Sequence, residues 1–165
     1  SDRASFYSNS TIEIADDTRI DDFSVISAGQ GGIRIGRNVH ISCHAAIVGA
    51  GEINICDFSA ISLRCVILSS SDDFSGEYLS NPTVAEEFTN VKKLPVYIGR
   101  HVIVGAGSVV LPGVKISDGC AIGASSLVNK SIEGNKIAFG VPAKAVKERS
   151  KNIFQLEKDY LAKYQ

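Results

Sequence analysis

The chain has 165 residues, of which 44% are hydrophobic, and a formal net charge of −1 at pH 7. This length and composition suit one globular domain that buries its own core. The near-neutral charge excludes the basic field with which proteins bind nucleic acids or anionic membranes. No segment reaches the roughly 20 apolar residues of a membrane-spanning helix, and the first ten residues lack the pattern of a signal peptide. We therefore expect a soluble, cytoplasmic protein.

Large aliphatic residues recur at every sixth position along most of the chain. A helix repeats every 3.6 residues and a strand every two, so neither alone produces this spacing. A small residue follows most of these aliphatics four positions later, as Ser24 follows Ile20. The aliphatics form five triplets: Ile14, Ile20 and Ile26; Ile35, Ile41 and Ile47; Ile55, Ile61 and Ile67; Ile98, Val104 and Val110; Ile116, Ile122 and Val128.

A short strand followed by a corner accounts for one large and one small inward position in every six residues. Three such units close a turn of about 18 residues, and turns stacked ~4.8 Å apart pair their backbone groups with one another. Each aliphatic side chain then contributes about 1.5–3 kcal/mol on burial in a continuous column. A β-sandwich with coincidental spacing does not explain five triplets in phase. The sequence therefore predicts an all-β fold of stacked parallel turns.

Four cysteines are present and show no C-x-x-C spacing: Cys43, Cys56, Cys65 and Cys120. We expect each of them to fill a small position of the repeat as a free thiol, which packs as a small hydrophobic group. This role predicts a reducing compartment.

The repeat is interrupted between Ile67 and Ile98, which lie 31 positions apart. A long excursion from a regular scaffold is typically functional or disordered. Aromatic residues and prolines predict that the segment 68–97 is an ordered loop packed on the scaffold; they are Phe74, Tyr78, Phe88, Tyr97, Pro82 and Pro95.

After the last triplet comes "NKSIEGNKIAFGVPAKAVKER", with a Gly-x-Pro-Ala sequence. This tail and the hexads resemble the hexapeptide-repeat acyltransferases, in particular the galactoside, maltose and related sugar O-acetyltransferases. The resemblance covers about residues 14–147 and implies a left-handed parallel β-helix of about five coils, with 1–143 as the acyltransferase domain. Helix-forming and apolar residues beyond it predict a C-terminal helix over 144–165 that caps the coil or contacts a neighbouring subunit.

The resemblance implies that coenzyme A, as acetyl-CoA, binds along the coil. In the family, open backbone amides of the coil hold the pantetheine arm like an added strand. Ala106 matches the position at the thioester end, Ala124 lies further along the arm, and lysines meet the nucleotide phosphates. The family also binds the coenzyme between adjacent coils, which implies a homotrimer. The expected coenzyme-binding residues are Gly105, Ala106, Gly123, Ala124, Lys130, Gly140, Pro142, Ala143, Lys144 and Lys147.

Acyl transfer to a hydroxyl needs a base, which in the resembled O-acetyltransferases is a histidine near the start of the extended loop. Asp72 occupies that position here, and the loop contains no histidine. Asp73 beside it would raise the pKa of Asp72 by like-charge repulsion, so that the two carboxylates form a coupled pair. His44 and His40, in the second triplet, are further candidates for the base or for an acceptor contact.

We expect an enzyme that transfers an acetyl group from acetyl-CoA to a sugar hydroxyl. The stretch "SSSDDFSGEYLSNPTV" also resembles acyltransferases of surface-polysaccharide synthesis, which favours a glycan precursor as acceptor. One alternative is N-acylation of an amino sugar, possibly nucleotide-linked, because carboxylates bind an ammonium group and an amine needs less activation. Another is a catalytically silent assembly module. The γ-class carbonic anhydrases bind a metal on the same coil, but the spacing of His40 and His44 differs from theirs, and we expect no metal.

Overall fold

The computed structural model describes residues 1–164, which coil into a parallel β-helix with three faces. The six-stranded face contains β1 (Ser5–Tyr7), β4 (Val25–Ala28), β7 (Ala46–Gly49), β10 (Val66–Leu68), β15 (Val109–Val110) and β18 (Leu127–Val128). The five-stranded face contains β2 (Ile12–Ile14), β5 (Ile33–Ile35), β8 (Ile53–Ile55), β13 (Val96–Ile98) and β16 (Lys115–Ile116).

The seven-stranded face contains β3 (Arg19–Ile20), β6 (His40–Ile41), β9 (Ala60–Ile61), β14 (Ile103–Val104), β17 (Ala121–Ile122), β19 (Lys136–Gly140) and β20 (Ala143–Glu148). Within the three faces all pairs are parallel except β19 with β20. The stack therefore extends beyond the five predicted triplets, with β1 at one end and the β19–β20 hairpin at the other.

The six-residue repeat fills the interior as predicted. Thirteen of the fifteen triplet aliphatics are buried. The exceptions, Ile14 and Ile20, belong to the first triplet, and Ile14 is 43% exposed because few turns lie beneath it. The core also contains Ile33, Ile53 and Val96, because three-residue strands on the five-stranded face point both end residues inward.

Two of the four cysteines differ from their predicted places. Cys65 and Cys120 are buried in small positions of the repeat, where burial raises the pKa of each thiol. Cys43 and Cys56 are only partly buried, because they fall two and one positions after an inward aliphatic and not four. All four thiols are free.

The C-terminal helix α1 spans Asn152–Tyr164 and begins later than the predicted start at residue 144. Residues 143–148 form β20, which pairs antiparallel with β19. The backbone of Lys136–Gly140 continues the seven-stranded face and leaves an open edge beside it. Pairing of this edge by the returning chain outweighs the helix propensity of the lysines and alanines in β20. No helix among residues 1–164 is long and apolar enough to cross a bilayer.

Candidate active site

The extended loop leaves and rejoins the coil through a short antiparallel ladder. β11 (Ser70–Ser71) pairs with β12 (Lys92–Lys93), and the Leu94 amide donates to the Ser69 carbonyl at 2.9 Å. Beyond this ladder the loop contains one short 3-10 turn, Glu86–Phe88. Several apolar side chains of the loop do not pack on the scaffold, contrary to the prediction: Phe74 is 92%, Phe88 56% and Leu79 55% exposed.

Asp72 lines a cleft of ≈ 660 Å³ between the loop and the coil. The walls combine one coil residue, Ala50, with two stretches of the loop. Glu86 adds a second carboxylate and Lys93 a cation, so the cleft has groups of both signs for a polar ligand. The remaining lining residues are Asn81, Pro82, Val84, Thr89, Asn90 and Val91.

Asp73, the other carboxylate predicted for catalysis, is turned into its own loop. Its Oδ2 accepts hydrogen bonds from the Ser75 hydroxyl at 2.6 Å, the Ser75 amide at 2.9 Å and the Gly76 amide at 3.2 Å. These bonds, the hydroxyl foremost, hold the pKa of Asp73 below its usual value. The predicted coupled pair is wrong on this point, because Asp73 is a buried acceptor that folds the loop and does not line the cleft.

His40 and His44 lie on the outside of the coil. The His40 Nε2 atom is 2.8 Å from Asp21 Oδ2, and this contact together with Arg19 lowers the pKa of Asp21. His44 occupies a corner with φ 59° and stacks on Phe23 with ring centroids 5.1 Å apart. Neither histidine lines the cleft around Asp72.

The corners between the seven-stranded and six-stranded faces form a regular ladder along the coil. Each corner is a tight turn of four residues. The carbonyl of the second residue of a corner accepts a hydrogen bond from an amide of the corner on the next coil. We call these second residues the corner row; they are Asp22, Cys43, Leu63, Ala106 and Ala124. The bonds are His44 to Asp22 and Arg64 to Cys43 at 3.2 Å, Gly107 to Leu63 at 2.9 Å and Ser125 to Ala106 at 2.8 Å.

Two of the four amides expected to bind coenzyme A are occupied. The Gly105 and Gly123 amides donate to the Ile122 and Ala138 carbonyls at 2.8 Å each. These glycines serve packing, since a Cβ on Gly105 would lie 2.6 Å from the Ala124 nitrogen. The amides of Ala106 and Ala124, by contrast, donate to no group within residues 1–164. These two amides are therefore available to bind an extended ligand.

The predicted phosphate-binding lysines lie at the end of the coil. Lys130, Lys144 and Ala143 line a hollow of ≈ 380 Å³ together with Lys136 and one carboxylate, Glu133. Lys136 pairs with Glu148, which raises the pKa of the ammonium group. Lys147 is exposed on β20, opposite Ile137. The cations suit an anionic ligand at the coil end.

The Gly-x-Pro-Ala sequence forms the tip of the terminal hairpin. Gly140 pairs with Ala143 across a two-residue turn of Val141 and Pro142. Gly140 has φ 109°, which favours glycine, and its amide donates to the Ser126 hydroxyl at 3.1 Å. This segment therefore covers the coil beside the last corner of the row.

Sequence reasoning missed the residues that attach α1 to the coil. Glu157 Oε2 lies 2.8 Å from His101 Nε2 and also pairs with Arg100. Arg149 donates to three carbonyls of the coil, including that of His101 at 2.8 Å. An acidic residue in a helix is typically solvent-exposed, and only its partners on another element mark Glu157 as a contact.

No group of three or more histidine, cysteine or acidic residues among positions 1–164 is placed to hold a metal ion.

Comparisons with known proteins agree with this architecture. Residues 95–130 match the family described as "Bacterial transferase hexapeptide (six repeats)". The chain is 48% identical to the dTDP-4-amino-4,6-dideoxy-D-glucose acyltransferase of Escherichia coli, over 95% of this chain and 82% of that protein. It is 31% identical to the galactoside O-acetyltransferase of Escherichia coli K12, over 70% of this chain and 54% of that protein.

Among solved structures, the chain superposes on AntD, an N-acyltransferase from Bacillus cereus in complex with dTDP and 3-hydroxybutyryl-CoA. The TM-score is 0.91 at 38% identity, with 99% of this chain and 86% of AntD covered. The chain thus belongs to the hexapeptide-repeat acyltransferases.

Proposed function

We propose that the protein is an acyl-CoA-dependent N-acyltransferase whose acceptor is a nucleotide-linked amino sugar. The observation that carries the proposal is the carboxylate of Asp72 in a polar cleft beside the coil. Two relatives support an amine acceptor over the hydroxyl that the sequence analysis preferred. One is named for a dTDP-linked amino sugar, and AntD is an N-acyltransferase seen with dTDP. We propose that such a sugar is a precursor of a surface polysaccharide.

Asp72 is the residue we propose to meet the amino group. A carboxylate binds the ammonium form, and after that form has lost one proton to solvent, the carboxylate accepts a second proton from the nitrogen as the neutral amine attacks. Structures of AntD include variants of one aspartate and of one serine, at positions ten apart. Ser62 and Asp72 have the same separation (72 − 62 = 10). Ser108 and Asp118 have this separation too, and it is the place of Asp72 in the cleft that favours Asp72 as the group near the reacting amine.

The corner row is the proposed site of the acyl donor. Its unpaired amides at Ala106 and Ala124 suit the carbonyl oxygens of the thioester and the pantetheine arm, and Lys130, Lys144 and Lys147 suit the phosphates. AntD has been solved with coenzyme A and with an acyl-CoA, which supports this class of donor. The four free thiols are consistent with the reducing cytoplasm, which we propose as the location.

In the proposed reaction the amine nitrogen attacks the acyl carbon of the thioester. The carbon–nitrogen bond forms and the carbon–sulfur bond breaks. The ammonium loses two protons in all: one passes to solvent before the attack, and the second passes through Asp72 to the departing sulfur, so the products are an amide, the free thiol of coenzyme A and one released proton. An amide N–H at the corner row would stabilise the negative charge on the thioester oxygen.

We further propose that the protein acts as a homotrimer. The outward side chains of the six-stranded face form an almost entirely aliphatic row. Phe74, Leu79 and Phe88 of the loop add exposed apolar surface. Both features suit burial against a second copy. The row consists of Val25, Ala46, Val66, Val109 and Leu127.

The test is an acceptor panel with acetyl-CoA. We expect turnover of dTDP-4-amino-4,6-dideoxyglucose and none of its 4-hydroxyl analogue. Asp72→Asn should lower kcat by about 10²–10⁴-fold with an unchanged melting temperature, as loss of a general base does. Glu77→Gln, an exposed carboxylate of the same loop, is the matched control and should retain wild-type kcat.

Two results would overturn the proposal. Turnover of hydroxyl acceptors alone would favour O-acylation, the second candidate, which the similarity to galactoside O-acetyltransferase supports. Absence of a thermal shift with coenzyme A, together with absence of turnover, would favour the silent assembly module.

A further inference from the structure

The corner row changes abruptly in side-chain size along the coil. Ala124 and Ala106 present only methyl groups, whereas Leu63, on the next turn, is 40% exposed. The Gly107 amide donates to the Leu63 carbonyl at 2.9 Å, so the corner that contains Ala106 stacks directly on the one that contains Leu63. The isobutyl group of Leu63 therefore projects at the corner one turn, ~4.8 Å, beyond Ala106.

The direction of the donor follows from the charges at the coil end. The lysine hollow lies beyond Ala124, on the side away from Leu63, so a donor with its phosphates there runs towards Ala106 and then Leu63. If the thioester oxygen accepts the Ala106 amide, the acyl carbons continue along the row. The next side chain they meet is that of Leu63.

We infer that Leu63 limits the length of the acyl group that the protein transfers. The inference rests on the proposed function, because it takes the corner row as the donor site. The ~4.8 Å between turns accommodates a short chain of about two to four carbons before it meets the leucine. A longer chain would displace Leu63 or leave the row and expose apolar carbons to water. The substrate class is therefore short acyl-CoA thioesters.

The experiment compares acetyl-, butyryl-, hexanoyl- and octanoyl-CoA with the wild type and Leu63→Ala. We expect wild-type kcat/KM to fall about tenfold or more between butyryl- and hexanoyl-CoA, because a filled apolar pocket rejects added methylenes to about this extent. In Leu63→Ala the hexanoyl value should rise about tenfold while the acetyl value changes less than about threefold. Leu63→Phe should shorten the longest acyl chain that the protein accepts, so that butyryl-CoA is excluded.

Leu156→Ala on α1 is the matched control, since Leu156 is a similarly exposed leucine, 56%, far from the corner row in the sequence. It should keep the wild-type chain-length profile. Dissociation constants of the four thioesters, measured by calorimetry without an acceptor, give a second readout. The dissociation constants should rank the four thioesters in the same order as kcat/KM does. Hexanoyl-CoA should bind more tightly to Leu63→Ala than to the wild type.

The outcomes separate the two proposals. If wild type and Leu63→Ala decline at the same chain length in both assays, the role of Leu63 is wrong, even when amide product forms. If the thioesters bind with the expected ranking but no amino sugar is acylated, the proposed acceptor is wrong and the role of Leu63 stands. If none of the thioesters binds to the folded wild type, both are wrong.

Discussion

At the scale of single residues, the Ala106 amide can be removed without changing the corner. Proline occupies the equivalent place of the turn at Pro112, followed by Gly113 with φ 83°, as Ala106 is followed by Gly107 with φ 69°. Ala106→Pro therefore fits the backbone and deletes only the N–H. We expect the dissociation constant for coenzyme A to rise about 3–10-fold, the effect of one hydrogen bond, with an unchanged melting temperature.

Asp16→Pro provides the control for Ala106→Pro. Asp16 has the same place in a turn on another edge of the coil, before Asp17 with φ 58°. The Asp16→Pro variant should keep the melting temperature and the coenzyme A affinity of the wild type. Equal affinity in Ala106→Pro and the wild type would show that the amide does not bind the donor.

Asp73 gives a second residue-scale prediction, this time for the order of the loop. Asp73→Ala removes three hydrogen bonds to a carboxylate and should lower the free energy of loop opening, so that the amides of the loop exchange faster than in the wild type. Hydrogen exchange at the Ser75 and Gly76 amides measures this change. Because the pKa of Asp73 is lowered from 3.8, its contribution is present above about pH 4 and is lost as pH falls through the lower, folded-state value.

The control for Asp73 is Glu77→Ala, which changes an exposed carboxylate of the same loop. Protection in this variant should match the wild type at every pH. Unchanged protection in Asp73→Ala would mean that other contacts order the loop.

The chemical roles of Asp72 and Asp73 could not be separated from the sequence. Adjacent carboxylates look alike there, and only the path of the loop turns Asp73 towards Ser75 and leaves Asp72 in the cleft. The family resemblance assigned Ala106 and Ala124 to the coenzyme site, and their amides donate to no group within residues 1–164, so this assignment stays a prediction. The amides of Gly105 and Gly123 were assigned wrongly, since pairing between turns depends on register.

At the scale of elements, α1 is attached to the coil by a buried carboxylate. Burial alone would raise the pKa of Glu157, but hydrogen bonds from His101 and Arg100 outweigh it, and the pKa lies below 4.5. The stabilisation is therefore present above about pH 4.5 and is lost as pH falls through the folded-state value. We predict that α1 loses its protection from hydrogen exchange in this acid range.

Glu157→Gln should weaken the attachment of α1 by about 1–3 kcal/mol near neutral pH and remove most of its acid dependence. Hydrogen exchange across 152–164 measures both effects. Asp159→Asn is the control, because Asp159 Oδ1 accepts a hydrogen bond of 2.9 Å from Gln155 Nε2 of the same helix. An acid transition that persists in Glu157→Gln would assign it to another group.

The start of α1 shows the limit of local propensity. Residues 144–148 contain lysine, alanine and glutamate, which favour helices, yet they form β20. The unpaired edge of Lys136–Gly140 decides their conformation, and this edge exists only once the coil is built. The strands were predictable because a six-residue repeat sets both strand and corner, whereas the path of 68–97 has no repeat to define it.

At the scale of the whole molecule, the three outer faces differ in polarity, and this difference predicts the assembly. The five-stranded face has Glu13, Arg34, Asn54, Tyr97 and Lys115 outward, whereas the six-stranded face has its aliphatic row. A charge in the centre of an apolar interface carries a desolvation cost of several kcal/mol. Val109→Lys should therefore dissociate the proposed trimer.

Light scattering after size exclusion measures this directly. We expect a mass three times the 17.5 kDa of one chain for the wild type and a mass near one chain for Val109→Lys. Asn54→Lys introduces the same charge on the five-stranded face and should remain trimeric. The loop that lines the cleft of Asp72 carries apolar residues that are exposed in the single chain. Because dissociation would leave this loop without its neighbour, we expect turnover to fall as well. A wild-type mass for Val109→Lys would show that the aliphatic row lies outside the subunit interface.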